Sequence, residues 1–183
     1  MNQLPEGYNE IKSVNLQKDK KIALLVNLLA LVVMLPLLVL GAMIKPVNLA
    51  GESALKELLI IIVFLIVYMV LHEAVHGIFI YKYSKQKPKF GFTGMYAYAG
   101  SDSYFNKREY IIIALAPIVV WGVVLLILNI ALPFSTFWII YFIQACNISG
   151  AAGDLYITYV IKKMPSDVLI KDVGIEMKIY SKQ

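Results

Sequence analysis

Charged residues are scarce in this sequence. Asp, Glu, Lys and Arg make up 16% of the 183 residues, whereas 60% are hydrophobic, and the mean hydropathy is +0.72. Because a typical soluble domain carries about 25% charged residues, the composition excludes an ordinary soluble protein. It predicts an integral membrane protein.

Cysteine is nearly absent, and internal repeats and low-complexity segments are missing. The single cysteine, Cys146, cannot form a disulfide within the chain. The first 21 residues lack a small-residue cleavage site after a short apolar core, so we predict no removable signal peptide and expect the first apolar run to be a retained anchor. No basic run is dense enough to indicate a nucleic-acid partner, and the net charge of +5 fits membrane topology and attraction to anionic lipid.

Long apolar runs are present instead. Each is long enough to cross about 30 Å of hydrocarbon at about 1.5 Å per helical residue. The four runs lie at about residues 22–44, 58–81, 110–132 and 137–161. The predicted fold is therefore an all-α integral membrane protein, a bundle of four transmembrane helices that forms a single domain over residues 1–183.

The lysines and arginines are distributed unevenly among the predicted loops. Four precede the first helix, two lie in the first loop, six in the second, none in the third and five in the tail. Because cytoplasmic segments carry the excess of basic residues, both termini and the second loop are predicted to face the cytoplasm, with the lipid bilayer around the helices.

The second loop and the tail show the alternation of a β-strand. In KFGFTGMYAYAG, aromatic residues and glycines recur at every second position from Phe90 to Gly100, and the tail alternates from Val173 to Ile179. This period predicts short cytoplasmic β-strands beside the bundle. Two interpretations of the segment 90–100 stay open: an edge strand that pairs with a substrate peptide, or an aromatic belt at the level of the lipid headgroups.

The sequence HEAVH lies inside the second apolar run, where a charged side chain costs about 2.5 to 3.5 kcal/mol on insertion scales. His72 and His76 are the only histidines and stand four residues apart, so on a helix both imidazoles reach one metal ion. Glu73, one step round the helix, can approach a metal-bound water without occupying the metal. It is the predicted general base.

Asp154 is the predicted third ligand. A catalytic zinc site usually has three protein ligands and one open position, and Asp154 is the other acidic residue deep in a predicted helix. Counted from the cytoplasmic ends of their helices, His72, His76 and Asp154 lie about 15, 9 and 12 Å deep, so the carboxylate is level with the imidazoles. Cys146, about 24 Å deep, fits less well.

Asn147 lies seven residues before Asp154, on the same helical face. The residues between them are mostly small, which favours close approach of helices. We consider two roles for Asn147: support of the substrate or transition state by a hydrogen bond, or a hydrogen bond between helices.

These residues together resemble the site-2 protease type of intramembrane zinc metalloprotease. More narrowly, HEAVHGIFIYKYSKQKPKFGF and KREYIIIALAP resemble a family of small bacterial membrane proteins catalogued as zincin peptidases, over about residues 71–178. The resemblance implies one Zn²⁺ held by His72, His76 and Asp154, Glu73 as the base, and a bacterial cytoplasmic membrane. The chain departs from the site-2 protease pattern in having Leu155 after Asp154 and Gly150 where a proline is expected.

The predicted function is hydrolysis of a peptide bond in a membrane-spanning or membrane-apposed substrate, by a zinc-bound water that Glu73 deprotonates. The alternative is a metal-binding membrane protein without hydrolytic activity, a transporter or a sensor. The same ligands could also hold iron or manganese. Glu73 favours the hydrolase, because a transport site needs no carboxylate directly after the first histidine.

Overall fold

The computed structural model describes residue 1 and residues 3–15, 18–47, 52–94 and 96–182. Its described part contains five α-helices and one short 3-10 helix, Phe134–Thr136. The α-helices are α1 (Lys20–Ile44), α2 (Glu52–Ser84), α3 (Lys107–Ala131), α4 (Phe137–Gly150) and α5 (Ala152–Lys162).

Three of these helices are long and apolar enough to cross a membrane. The candidate spans are Lys20–Ile44, Ala54–Ser84 and Lys107–Ala131, of 25, 31 and 25 residues. Their length and composition indicate a membrane protein, as the hydropathy predicts. Most of their apolar side chains are exposed: within α1 only Gly41 is buried, where the rings of Trp138 and Tyr141 on α4 pack closely against it.

The prediction of a four-helix transmembrane bundle is wrong, because the fourth apolar run does not form one long helix. It is divided at Ala151 into α4, of 14 residues, and α5, of 11 residues, both shorter than the about 20 residues that a transmembrane helix needs. Gly150 and Gly153 flank the break, and glycine weakens a helix interior by about 1 kcal/mol relative to alanine. The run of small residues that favours close helix packing thus also ends a helix.

The all-α class is also wrong, because two antiparallel sheets accompany the helices. The six strands are β1 (Tyr8–Val14), β2 (Lys89–Phe92), β3 (Ala97–Gly100), β4 (Tyr104–Asn106), β5 (Leu169–Asp172) and β6 (Met177–Lys182). Strands β2 and β3 form a hairpin, and the other four form one sheet in the order β1-β6-β5-β4. Strands do occur in the second loop and the tail, but β1 was not predicted.

The four-stranded sheet gathers three separate parts of the chain at one end of the helices. Strand β1 precedes α1, β4 lies between α2 and α3, and β5 and β6 follow α5. The buried core lies between this sheet and the adjoining helix ends, where Phe105 and Ile161 pack with Ile170 and Ile179. The segments before α1, between α2 and α3 and after α5 therefore share one side of the protein.

Three side chains fix the start of α3, which adjoins the candidate site. Asn106 ends β4 and caps α3: its side chain accepts from the Glu109 N–H, and the Glu109 carboxylate accepts from the Asn106 N–H, a capping box. Lys107 donates to the carbonyl of Lys162, 2.9 Å away, and to that of Met164. These contacts join the first turn of α3 to the last turn of α5.

Candidate metal centre

The central part of the site is a group of three side chains on α2. Donor atoms of His72, Glu73 and His76 all lie within 4.8 Å of one another, close enough to share one metal ion. The rings of His72 and His76 are 5.1 Å apart between centroids and meet edge to face. The helical spacing of four residues thus places both imidazoles on one face, as the motif predicts.

Asp154 approaches this group from the first turn of α5. Its Oδ2 lies 3.7 Å from Nε2 of His72 and 3.8 Å from Nε2 of His76. The break at Ala151 creates a new helix N-terminus three residues before Asp154, and a helix N-terminus favours a negative charge. The interruption of the fourth apolar run therefore helps to place the carboxylate beside the imidazoles.

Two of the three separations among these atoms are close to those around a tetrahedral zinc ion. Zinc bonds of about 2.0 to 2.2 Å to nitrogen and oxygen put neighbouring ligand atoms about 3.4 Å apart. The two separations of 3.7 and 3.8 Å between Asp154 and the imidazoles are a few tenths of an ångström wider. The side chains are 14% exposed at His72, 12% at His76 and 27% at Asp154, so the set is largely enclosed. Two imidazoles and a carboxylate suit zinc.

The ring nitrogens that face away from Asp154 have partners of their own. Nδ1 of His72 lies 2.9 Å from the Tyr68 hydroxyl, and Nδ1 of His76 lies 2.9 Å from the Ile113 carbonyl oxygen. The Trp121 ring packs edge to face on Tyr68. Each imidazole therefore has one nitrogen bonded within the protein and the other directed at the candidate metal position.

Asn147 is fully buried between helices. Its side chain accepts a hydrogen bond from the Tyr68 hydroxyl at 2.9 Å and donates one to the Ile118 carbonyl at 3.2 Å, and 0% of the residue is exposed. It thus links α2, α4 and α3. This is the helix-to-helix hydrogen bond of the second interpretation, and Tyr68 stands between Asn147 and His72.

A cavity of about 390 Å³ opens beside His72, Glu73 and His76. Its walls include Tyr96 and Tyr98 from the hairpin as well as Glu73 and Asp154. The backbone of Ala99, on β3, lies beside the Glu73 carboxylate. Phe90 and Phe92 of β2 are instead exposed. The hairpin thus has Tyr98 in the cavity wall, while the partly exposed Phe90 lies with its ring against Gly77 of α2.

The turn between β5 and β6 supports β3 from behind. The Ser101 N–H donates to the Asp172 carbonyl at 2.6 Å, and Gly100 lies directly against the backbone of Val173 and Gly174. The Asp172 carboxylate accepts hydrogen bonds from the Tyr110 hydroxyl and from the Gly174 N–H. Burial raises the pKa of this carboxyl above its ordinary value, against the lowering effect of its hydrogen bonds.

Comparison with known proteins assigns the chain to a family. The family model that matches residues 65–169, more than half of the chain, is described as "Putative zincin peptidase", and this chain belongs to that family. The matched region contains His72, Glu73, His76 and Asp154. Its description supports a zinc metallopeptidase.

One curated relative is a protein of Pyrococcus woesei described as "Uncharacterized 24.7 kDa protein in gap 5'region". It is 31% identical over 137 residues, which cover 72% of this chain and 60% of the relative. The chain therefore matches only about 60% of the length of that protein. No solved structure matches this chain.

Several residues at the site were not identified from the sequence. Tyr68 precedes His72 by four residues and so shares its helical face, a signal that could have identified it. Pro117 lies within the third apolar run, four residues after Ile113, whose carbonyl contacts His76. The contact of Ala99 with Glu73 depends on how the hairpin folds over α2, which no local pattern predicts.

Proposed function

We propose that this protein is an intramembrane zinc metallopeptidase of the site-2 protease type, which hydrolyses a peptide bond in a membrane-spanning or membrane-apposed substrate. The observation that carries the proposal is the position of Asp154, less than 4 Å from the Nε2 atoms of both histidines of the HEAVH motif. Glu73 stands in the same group, and a cavity adjoins it. The family description supports the peptidase class.

His72, His76 and Asp154 would hold one Zn²⁺, with Glu73 left free to act as the base. A bound zinc ion would polarise the substrate carbonyl and lower the pKa of the attacking water. Glu73 takes a proton from that water as its oxygen adds to the peptide carbon. When the C–N bond breaks, Glu73 returns the proton to the leaving amine. Ala99 of β3 lies beside the Glu73 carboxylate.

The substrate would bind in an extended form along β3. A peptide carbonyl in a helix is already hydrogen-bonded within its own turn, so a cleaved segment must unwind before attack. Strand β3 pairs with β2 on one side, and on the other side its Ala99 backbone lies beside Glu73. A peptide that pairs with this edge would lie next to the base. The exposed Phe90 and Phe92 would rest at the lipid headgroups.

The orientation that we propose places the sheet in the cytoplasm. The three segments that meet at the sheet end, together with the helix ends that adjoin them, hold 15 of the 17 lysines and arginines (four, six and five), and cytoplasmic segments are enriched in these residues. The site lies about 9 to 15 Å from that end of the helices. Water would therefore reach it from the cytoplasmic side. We place the protein in a bacterial cytoplasmic membrane.

Zinc content tests the proposed ligand set. Detergent-purified native protein is expected to hold about one zinc ion per chain by elemental analysis, and His76→Ala and Asp154→Ala are expected to lose it. Asp102→Ala is the matched control, because Asp102 is an exposed carboxylate paired with Lys89. The proposal is wrong if supplied zinc does not bind to the native chain, or if Asp154→Ala binds zinc as the native chain does.

A further inference from the structure

The hydrogen bond of His76 determines which of its ring nitrogens carries the proton. A carbonyl oxygen only accepts hydrogen bonds, so in the 2.9 Å contact with Ile113 the His76 Nδ1–H must donate. A neutral imidazole has one N–H, and Nε2 is then the nitrogen with the free lone pair. This is the atom that lies 3.8 Å from Asp154.

Pro117 explains why the Ile113 carbonyl is available to His76. In a regular α-helix each carbonyl accepts from the N–H four residues later, and the residue four after Ile113 is Pro117, which has no N–H. Pro117 is fully buried within α3. The proline therefore leaves an interior helix carbonyl without its usual donor, at the position where the His76 ring needs an acceptor.

His72 reaches the same tautomer through a chain of side chains. The Ile118 carbonyl accepts from Nδ2 of Asn147 at 3.2 Å, which turns the Asn147 oxygen towards Tyr68. The Tyr68 hydroxyl donates its single proton to that oxygen at 2.9 Å. Its oxygen can then only accept from His72, 2.9 Å away, so His72 also carries its proton on Nδ1. Its Nε2 lone pair faces Asp154 at 3.7 Å.

We propose that Pro117 and Tyr68 are positioning residues that fix His76 and His72 as Nδ1–H tautomers and keep both Nε2 lone pairs directed at the metal position. The inference rests on the proposed function, since it takes both histidines as metal ligands. Partners that bind the second nitrogen of a ligand histidine orient the ring, and their loss costs about 10- to 100-fold in metal affinity. Pro117 supplies such a partner because it has no N–H, which leaves the Ile113 carbonyl free to accept from His76.

Two substitutions separate this role from simple packing. Tyr68→Phe keeps the ring and removes the acceptor of His72. Pro117→Ala supplies an N–H that competes with His76 for the Ile113 carbonyl, and it also removes an unfavourable helix residue. We therefore expect Pro117→Ala to weaken zinc binding while α3 becomes no less stable, a combination that lost packing would not produce.

The matched controls are two substitutions of the same kind elsewhere. Tyr141 donates to the Leu37 carbonyl at 2.6 Å, so Tyr141→Phe also removes an interhelical hydroxyl hydrogen bond. Pro36 is a proline inside α1, so Pro36→Ala also restores a helix N–H. We expect both controls to keep the zinc affinity and the histidine tautomers of the native protein.

The tautomers can be read directly in metal-free protein. The chain has only two histidines, so ring-¹⁵N labelling gives two spin systems, and the signals changed by Tyr68→Phe and by Pro117→Ala assign them. In mildly alkaline buffer, both native rings are expected as neutral Nδ1–H tautomers. In Asn147→Leu the Tyr68 hydroxyl loses its acceptor and is expected to donate to Nδ1 of His72, which converts that ring to the Nε2–H tautomer.

Zinc affinity, measured by competition with a chelator, completes the test. We expect Tyr68→Phe and Pro117→Ala each to bind zinc about 10- to 100-fold more weakly. A native ring in the Nε2–H form, or native affinity in both variants, overturns the inference and leaves the proposed function standing. If both rings are Nδ1–H and the native protein binds no zinc, the tautomer assignment is confirmed and the proposed function is wrong.

Discussion

Replacement of Glu73 by glutamine tests whether this side chain transfers protons or only fills space. Glutamine has nearly the shape of glutamate and still presents an oxygen to the Ala99 backbone beside it, so the side chain is expected to keep its place while it loses its basicity. General bases contribute about 10²- to 10⁴-fold to a rate. We expect Glu73→Gln to lose hydrolysis by that factor and to keep the native zinc content.

Glu73→Asp provides the complementary measurement. It keeps the carboxylate but withdraws it by one methylene, about 1.5 Å, away from Ala99 and from the imidazoles. A misplacement of about 1 Å can cost about 100-fold in rate, so we expect a loss of that order.

The assay is zinc-dependent cleavage of quenched fluorescent apolar peptides by detergent-purified protein. Glu57→Gln is the matched control, because Glu57 lies on the same helix, sixteen residues or about 24 Å from Glu73. It is expected to cleave at the native rate. Native activity in Glu73→Gln at native zinc content would refute the role of Glu73 as the base.

Three further outcomes follow from the support of the site. Gly100→Ala places a methyl group against the backbone of Val173, so we expect the free energy of unfolding to fall by about 1 to 3 kcal/mol and cleavage to be reduced. Native stability and native cleavage in this variant would contradict the close packing of β3 on the turn. Because burial raises the pKa of Asp172, the folded protein holds this proton more tightly than the unfolded chain. The free energy of unfolding of the native protein should therefore rise, relative to that of Asp172→Asn, as the pH falls through the raised pKa of the folded state towards the ordinary aspartate pKa of about 3.9. Identical pH profiles for the two proteins would contradict this. Lys107→Met removes the donor to two carbonyls at the end of α5 and should lower the free energy of unfolding by about 1 to 3 kcal/mol. Unchanged stability would contradict a stabilising role for these two hydrogen bonds.

The long helices were predictable because their cause is local. An unbroken apolar run needs only its own length to form a membrane helix, and α1, α2 and α3 begin and end within a few residues of the predicted bounds, except that α2 begins six residues earlier, at Glu52. The interruption at Ala151 was missed because hydropathy does not register a short run of small residues. Strand β1 was missed because it is an edge strand with only Val14 buried, so its sequence shows little alternation.

The parts of the site that could be predicted are those that depend only on spacing along one helix or on depth in the membrane. The spacing of His72 and His76 is a property of α2 alone, and the depth of Asp154 follows from counting residues inward from the end of its helix. The contacts of Tyr68, Ala99 and Ile113 were not predictable, because each depends on how separate elements pack. The catalytic and metal-binding roles themselves stay predictions until zinc content and cleavage are measured.

The pairing of β1 with β6 also sets the order in which the protein can mature. This pairing joins residue 8 to residue 182, and closing so long a loop is slow compared with local helix formation. The turn behind β3, and through it the position of Ala99 beside Glu73, forms from a part of the chain that is synthesised after all the long helices. A nascent chain with all its long helices already inserted would therefore still lack the support of its proposed base. Under the proposed function, the site would be completed only after these helices had entered the membrane.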